Sequence, residues 1–436
     1  MNRTEMACAT CHAPLNMLGD PPAYIHPLSF TTDGHQPVPV PAETLETIAR
    51  RCDFCGNPYP VWTLHGNQAI SVLAIGGHGS LAQHYGDAWA ACASCEQLAT
   101  NRDIDGLAAR AGAALGWKQN HQALRHIAQL HAAFLHRTPQ RRSLVTTTAW
   151  PPASVAAREL PKVRDRLTRL YQGHDQLPGP YTGQVRAQLA HGLLAARLYW
   201  IDPEFTTLTD HAATHLPQTR PELDQLPAAS GLLVWAHPVT DRQVAAASWT
   251  IDHATGSCRI VCYRHIGAGL DGPALQRVRE QVGWLVPTRL IEAAPGHALP
   301  ADGPAAPLLA TWLLIAQRAV ETVPAELDRA TRRAYQRQAR PAPEVRIVRI
   351  KPRPTRSGNT THSGAGGRGR GPLQQREWVG GHWKHQAHGP KRGKRRLIYV
   401  HPYIRGPQTA PLRPASAVHV LGSTHHPIHT DNPDNK

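Results

Sequence analysis

The spacing of apolar residues predicts a helical middle region in this chain. Across residues 119–136 and 154–173 the apolar positions recur every three or four residues, which is typical of amphipathic helices. The same spacing predicts a third helix over residues 184–200 and a shorter one over residues 103–115.

Beyond residue 230 the pattern changes to short apolar segments of the kind that form β-strands. Asp252 and Gly256 supply turn chemistry between two of them, so we predict a hairpin there. Helices are predicted near residues 273–286 and 306–322, the second continuing towards Arg340. The predicted strands cover residues 231–235, 246–250, 258–263, 345–350, 378–379, 397–400 and 418–421.

Composition indicates a cytoplasmic protein with several folded parts. The chain has 436 residues, a length too great for one ordinary core, and 41% of them are apolar. No apolar run follows the first residues, and the most apolar helical stretch, 307–320, is shorter than the roughly 20 residues that span a bilayer. We therefore expect no membrane partner and reduced thiols, so that paired cysteines indicate metal or redox chemistry.

Two C-x2-C pairs, Cys52 with Cys55 and Cys92 with Cys95, predict one four-thiolate zinc site. Each pair places two sulfurs on one side of a tight turn, and two such turns complete a tetrahedron around Zn²⁺. The 36 residues between the pairs exceed the usual finger spacing, and Gly76 to Gly79 are interpreted as a loop insertion. A thioredoxin-like redox role lacks the surrounding strand–helix unit. A closed four-sulfur site is structural, because it leaves no open position for catalysis.

A further pair, Cys8 and Cys11, is half of a zinc site and needs two more ligands. His26 and His35 lie downstream and would complete a Cys2His2 set, giving one or two Zn²⁺ ions in total. His12 is a rival ligand, although a residue adjacent to Cys11 is hard to place on the same tetrahedron. The alternative is that these histidines are simply exposed loop residues.

The last two cysteines, Cys258 and Cys262, lie four residues apart in a predicted strand. Both side chains then point to one face, with Cα atoms about 13 Å apart, too far to share a metal. We predict buried core thiols.

Positive charge is concentrated near the carboxy terminus. Residues 329–406 carry 20 lysines and arginines but only two acids, whereas the whole chain has a net charge of +16. A basic hairpin is predicted there, with an aromatic ring for base stacking beside side chains for phosphate contact. Its candidate nucleic-acid-binding residues are His382, Trp383, Lys384, Lys391, Arg392, Lys394, Arg395 and Arg396. The alternatives are a solvated hairpin that only aids solubility, or an acidic protein partner.

Two stretches resemble modules of uncharacterised proteins from actinobacterial plasmids, integrated elements and phages. Residues 51–55, 86–95 and 105–110 resemble a CDFC…GDW-A-C-x-x-C…dGLa-R zinc module, although Ala88 separates Asp87 from Trp89. Residues 378–412 resemble a W-V-R-G-H-W-R-x-Q…P-Y-x-x-G-P-x-A-P-L module, with Gly380 where an arginine is usual. The resemblance implies a mobile-element context and no particular chemistry.

We therefore predict a multidomain α+β protein with amino-terminal zinc modules, a helical middle and a mostly antiparallel carboxy-terminal sheet that carries the basic hairpin. The predicted segments are a Cys2His2 module (1–40), a four-cysteine module (41–116), a helical region (117–228), an α+β domain (229–351), a disordered basic loop (352–374), a basic β-rich module (375–422) and a disordered tail (423–436).

The predicted function is that of a zinc-binding accessory or regulatory protein of a mobile genetic element, with nucleic acid, DNA or RNA, as its partner. One alternative is a protein-interaction component of an element-borne defence or toxin–antitoxin system. Another is an enzyme with an unrecognised site, although HExxH and GxSxG signatures are absent from the chain.

Overall fold

The structure, a computed structural model, describes most of the chain. The described residues are 5–18, 23–27, 33–76, 79–118, 122–136, 141–218, 226–252, 255–294, 297–351, 376–407 and 411. The predicted disordered loop (352–374), the predicted strand 418–421 and the predicted tail (423–436) lie outside these residues.

The amino-terminal part is built from small sheets and three helices. Its strands are β1 (Met6–Cys8), β2 (Asn16–Leu18), β3 (Ala23–Ile25), β4 (Pro39–Pro41), β5 (Trp62–Gly76), β6 (Gly79–Ala91) and β7 (Arg141–Leu144). Its helices are α1 (Ala93–Thr100), α2 (Ile104–Ala114) and α3 (Ala123–Leu135). Strand β1 pairs with β4 and β2 with β3, whereas β5 pairs with both β6 and β7, all antiparallel.

The following part contains the large sheet and the helices that cover it. In chain order its elements are α4 (Leu160–Gln172), α5 (Gly183–Ala195), β8 (Arg197–Ile201), α6 (Pro203–Thr214), β9 (Ser230–Val239), β10 (Val244–Ile251), β11 (Cys258–His265), α7 (Gly272–Gln281), β12 (Leu285–Ala293), α8 (Ala306–Ile315), β13 (Val320–Pro324), α9 (Arg329–Arg337) and β14 (Val345–Ile350). The carboxy-terminal strands are β15 (Glu377–Val379), β16 (His382–His388), β17 (Lys394–Val400) and β18 (Tyr403–Arg405).

Seven strands form one mixed sheet, in the order β12-β11-β10-β9-β8-β14-β13. Strand β8 is parallel to both of its neighbours, and the other pairs are antiparallel. The α+β class is therefore confirmed, with a large sheet that is mixed. The division into separate domains stays a prediction.

Helices cover both faces of this sheet. On β9, Leu232 and Val234 belong to one hydrophobic cluster, while Leu233 and Trp235 belong to another, as alternation along a strand requires. Helices α4 and α5 contribute to the first cluster, and α6 and α8 contribute to the second. The first cluster is continuous from Cys52 to Val345, so the amino-terminal cysteines share a core with the large sheet.

Several predicted elements are confirmed, among them α2, the β10–β11 hairpin and β14. The predicted helix 184–200 is wrong at its end, because α5 stops at Ala195 and the next residues form β8. β8 includes Leu198, Tyr199 and Ile201, whose burial between two neighbouring strands overrides helical continuation.

The predicted continuation of a helix from residue 306 towards Arg340 is also wrong. The chain instead forms α8, the edge strand β13 and then α9, which starts at its own cap, where the Asp328 carboxylate accepts from the Thr331 N–H at 2.5 Å. In the described part of the chain, no helix combines the length and apolar character that crossing a bilayer requires.

Candidate metal centres

A long hairpin brings together the two C-x2-C pairs, which we call the four-cysteine set (Cys52, Cys55, Cys92 and Cys95). The first pair precedes β5 and the second follows β6. Register places Trp62, the first residue of β5, opposite Ala91, the last residue of β6. β5 and β6 therefore form the arms of a hairpin whose open end carries both pairs. Residues 77–78 of the predicted loop insertion lie outside the described residues.

Local hydrogen bonds shape each cysteine turn. The Gly56 N–H donates to the Cys52 carbonyl at 2.7 Å, and Gly56 has a φ of +69°, a conformation that glycine adopts without strain. Cys92 is the N-cap residue of α1, and its carbonyl accepts from the Glu96 N–H at 2.9 Å. The second pair therefore sits on the first turn of a helix, where backbone N–H groups favour thiolates.

The four sulfurs of this set converge. The ligand atoms of Cys52, Cys55, Cys92 and Cys95 lie within 4.8 Å of one another, and all four residues are buried. The Cys55 and Cys92 sulfurs are 3.9 Å apart. Tetrahedral zinc with thiolates at 2.3 Å separates its sulfurs by about 3.8 Å, so this set fits the ion.

The surroundings lower the pKa of two thiols of the four-cysteine set, Cys92 and Cys55, and raise the pKa of the other two, Cys52 and Cys95. Hydrogen bonds with Cys52 and the other neighbouring thiols hold the pKa of Cys92 well below its usual range, and a hydrogen bond with Cys52 lowers the pKa of Cys55 to about 7. Burial raises the pKa of Cys52. Arg110 on α2 places its Nη2 atom 3.9 Å from the Cys92 sulfur, and this cation offsets part of the negative charge of a four-thiolate zinc site.

The Cys2His2 set also converges. His35 Nε2 lies 3.4 Å from the Cys8 sulfur, and His26 Nε2 lies 3.3 Å from the Cys11 sulfur. The four ligand atoms all lie within 4.8 Å of one another. Two thiols and two imidazoles in this arrangement can hold a tetrahedral zinc ion.

A second layer of contacts orients this set. The Asp33 carboxylate hydrogen-bonds His35 Nδ1, which leaves Nε2 for the metal side, as in carboxylate–histidine–zinc triads. That hydrogen bond also raises the pKa of His35. Burial alone would raise the pKa of Cys8, but hydrogen bonds, the backbone N–H of Val38 at 3.5 Å among them, lower it to about 5.

His12, the rival ligand, points elsewhere. Its Nδ1 atom lies 3.0 Å from the Thr47 hydroxyl, and its backbone adopts a positive φ of 58°. Among the described residues, the ligand sets that can hold a metal ion are the Cys2His2 set without His12 and the four-cysteine set. That these residues bind zinc stays a prediction.

Cys258 and Cys262 are both buried free thiols, and neither belongs to a ligand set in the described part of the chain. The Cys262 sulfhydryl donates to the Pro304 carbonyl at 3.3 Å, and burial raises the pKa of both thiols to about 12. They are therefore protonated core residues.

The predicted basic residues lie on the β16–β17 hairpin and its turn. Strands β16 and β17 pair antiparallel from His382 opposite Val400 to His388 opposite Lys394. Arg396 also contacts the protein body, because its Nη2 donates to the Ala316 carbonyl at 3.0 Å. The predicted residues that are exposed are His382, Lys384, Lys391, Arg392, Lys394, Arg395 and Arg396.

Trp383 differs from the other residues predicted on the hairpin. It is partly buried, its indole N–H donates to the Ala212 carbonyl of α6 at 2.9 Å, and its ring packs edge-on against Tyr399, with centroids 5.2 Å apart. This environment gives Trp383 an anchoring role, and that its ring stacks on a base stays a prediction.

A groove of about 560 Å³ brings charged groups together near the four-cysteine set, and sequence reasoning missed it. Glu96 is buried there and accepts three side-chain hydrogen bonds, one of them from Arg142 at 2.7 Å. Asp175 accepts two more from Arg142, at 2.6 and 3.0 Å. Both carboxylates are therefore engaged in an ion-pair network, which favours a structural role over acid–base chemistry. This groove could be found only from the fold, because the residues that line it come from distant segments of the chain.

Comparison with models of protein families, with curated proteins and with solved structures finds no match to this chain. The function of this protein is therefore inferred from its own two ligand sets and its charged surface.

Proposed function

We propose that this chain is a zinc-binding accessory or regulatory protein of a mobile genetic element that contacts nucleic acid through the β16–β17 hairpin. Two Cys/His ligand sets fit a zinc-binding protein. The observation that supports nucleic-acid contact is the exposed basic cluster on this hairpin, a segment with no acidic residue from position 382 to 400. The mobile-element context rests on the resemblance of the two sequence modules.

In this proposal zinc has a structural task. The four-cysteine set joins the open end of the β5–β6 hairpin to α1, and its cysteines belong to the same hydrophobic cluster as the large sheet. Bound zinc would hold that end of the core together. Both ligand sets are four-coordinate and closed, so neither is assigned a catalytic step.

The hairpin has the properties of a phosphate-binding surface. Its base is anchored by Trp383 and Arg396, whereas Lys391, Arg392 and Lys394 at its turn are free to meet a polyanion. Each lysine or arginine that neutralises a phosphate releases counterions, so affinity must fall as salt rises.

The test is a salt titration of the zinc-loaded full chain with labelled duplex and single-stranded DNA. Replacing Lys391, Arg392, Lys394, Arg395 and Arg396 by Ala should flatten the slope of log affinity against log salt by up to about 4.5 units on duplex, at about 0.9 per contact. The control is Lys118→Gln with Arg125→Gln, two exposed charges on another part of the chain.

An unchanged slope in the five-Ala variant would remove the hairpin from the interface. That result would favour the alternative of an acidic protein partner. Identification of nucleic acid that co-purifies with the wild-type chain then tests the mobile-element role directly.

A further inference from the structure

Helix α9 is held to the body of the protein along one side only. Thr331 and Tyr335 are its buried residues. The Tyr335 hydroxyl donates to the Asp165 carboxylate at 2.6 Å and accepts from Arg164 at 3.1 Å. These contacts with α4 fix the orientation of the helix.

The opposite side of α9 is an arginine face. At 100° per residue its four arginines fall within an arc of about 140°, turned away from the buried pair. All four are exposed, and in the described part of the chain none of them forms an ion pair; they are Arg329, Arg332, Arg333 and Arg337.

This arrangement disfavours the helix in the absence of a partner. Arg329 with Arg333, and Arg333 with Arg337, are like charges at i,i+4 spacing, which destabilises a helix. Arg329 also lies in the first turn, where the helix dipole favours acids. The Asp328 carboxylate at the cap is the acid at this end of α9, and residues 329–337 contain none, whereas a polyanion on the arginine face would offset the remaining repulsions.

The hairpin and α9 approach the β13 edge of the large sheet from opposite faces. β13 is the edge strand, and α9 begins five residues after it ends. Arg396 of the hairpin contacts Ala316, four residues before β13 begins. The hairpin packs on the face that α6 and α8 cover, because Trp383 and Tyr399 belong to that cluster, whereas α9 packs on α4 at the other face.

We propose that the arginine face of α9 binds the phosphate backbone of a nucleic-acid duplex. This inference rests on the proposed function. Arginine suits the task because its planar guanidinium binds phosphate oxygens through two parallel hydrogen bonds. A duplex is favoured over a single strand, because single-strand binders stack bases on exposed aromatic rings and Tyr335, the aromatic residue of α9, is buried.

The experiment measures equilibrium binding of the zinc-loaded full chain to a labelled DNA duplex across a salt series. Replacing Arg329, Arg332, Arg333 and Arg337 by Gln, a good helix former, should flatten the duplex slope by up to about 3.6 units, at about 0.9 per phosphate. Replacing the same four residues by Lys should retain most of the slope. The double variant Arg333→Gln with Arg337→Gln is compared with Lys118→Gln with Arg125→Gln, which removes the same charge elsewhere and should change the slope little.

The outcomes separate the two proposals. If the five-Ala hairpin variant flattens the slope and the α9 variants do not, the proposed function stands and the α9 interface is overturned. If neither does, both interfaces fail. If the wild-type chain binds no duplex at low salt, the α9 interface is overturned, and if it binds no single strands either, the proposed function fails as well. If the α9 variants lose more affinity for single strands than for duplex, the duplex assignment is overturned. The four-Lys variant keeps the charge, so its binding also distinguishes lost phosphate contacts from a damaged helix.

Discussion

Asp53 and Ala90 exchange two hydrogen bonds. The Asp53 backbone N–H donates to the Ala90 carbonyl at 2.8 Å, and the Asp53 carboxylate accepts from the Ala90 N–H at 2.6 Å. Asp53 lies between the first two cysteines of the four-cysteine set, and Ala90 lies just before the second two. This pair of hydrogen bonds therefore joins the two cysteine turns to each other.

Cys92→Ser should remove one zinc ion per chain and unfold the region around the four-cysteine set. Zinc in small domains is worth on the order of 10–16 kcal/mol, which is comparable to the whole stability of such a unit. Metal content is measured by atomic spectrometry, and stability by urea unfolding.

Cys258→Ser is the matched control, because it removes a buried thiol that belongs to no ligand set in the described residues. It should retain the full zinc content. Equal zinc in Cys92→Ser and the wild type would exclude the four-cysteine centre.

His35→Gln should lose the amino-terminal zinc ion, whereas His12→Gln should keep it. The reason is that His35 Nε2 faces Cys8, whereas the His12 ring contacts Thr47. Asp33→Ala should weaken zinc binding by about 10- to 100-fold, as loss of a carboxylate behind a ligating histidine does. Competition with a chromogenic chelator measures all three, and zinc loss in His12→Gln with retention in His35→Gln would reverse the assignment.

Trp383→Ala should lower the free energy of unfolding by about 2 kcal/mol or more. Truncating a fully buried aromatic side chain to alanine costs about 3–5 kcal/mol of stability, and this ring is half-buried. The lost hydrogen bond to Ala212 contributes about 1 kcal/mol of that change. Tyr403→Ala is the control, because that ring is 45% exposed. Weaker binding to single strands with unchanged stability would instead support the predicted stacking role.

His265 should make the protein less stable in acid. Burial, with a smaller contribution from the Arg279 charge, lowers the pKa of His265 to about 4, from an ordinary value of 6.5. The unfolded chain takes up this proton first as pH falls, so stability is full above about pH 6.5 and declines below it. The loss between about pH 7.5 and about pH 5 is about 2 kcal/mol, at about 1.4 kcal/mol per pKa unit.

His265→Gln should remove that part of the pH dependence, while His126→Gln, at an exposed position, should not. Urea unfolding at both pH values with excess zinc provides the measurement. Identical pH dependence in His265→Gln and the wild type would contradict the role of His265.

The ligand residues could be identified from local sequence, because a C-x2-C pair shapes its own turn. What joins the pairs could not be predicted in the same way. The hairpin from Trp62 to Ala91 depends on register between distant residues, and its glycine-rich tip suggested only a loop. Similarly, β8 is a strand because it pairs with β9 and β14. That pairing involves residues distant in sequence, so local apolar spacing could not predict it.

The role of Trp383 illustrates another limit of sequence reasoning. An aromatic residue beside lysine and histidine fits base stacking, yet the carbonyl that holds its N–H belongs to Ala212, 171 residues earlier. By contrast, the density of charge at Lys391 to Arg396 is a local property, and its exposure on the hairpin follows from the polarity of the side chains themselves.

The hydrophobic cluster that runs from Cys52 to Val345 has a consequence for synthesis of the chain. Roughly 250 residues separate Cys95 from Val345, and a ribosome adds about 5–20 residues per second. The four thiols of the four-cysteine set therefore emerge roughly 12–50 s before the last part of their shared core. In the proposed zinc-bound form, the four-cysteine set would therefore take up its metal before the large sheet is complete.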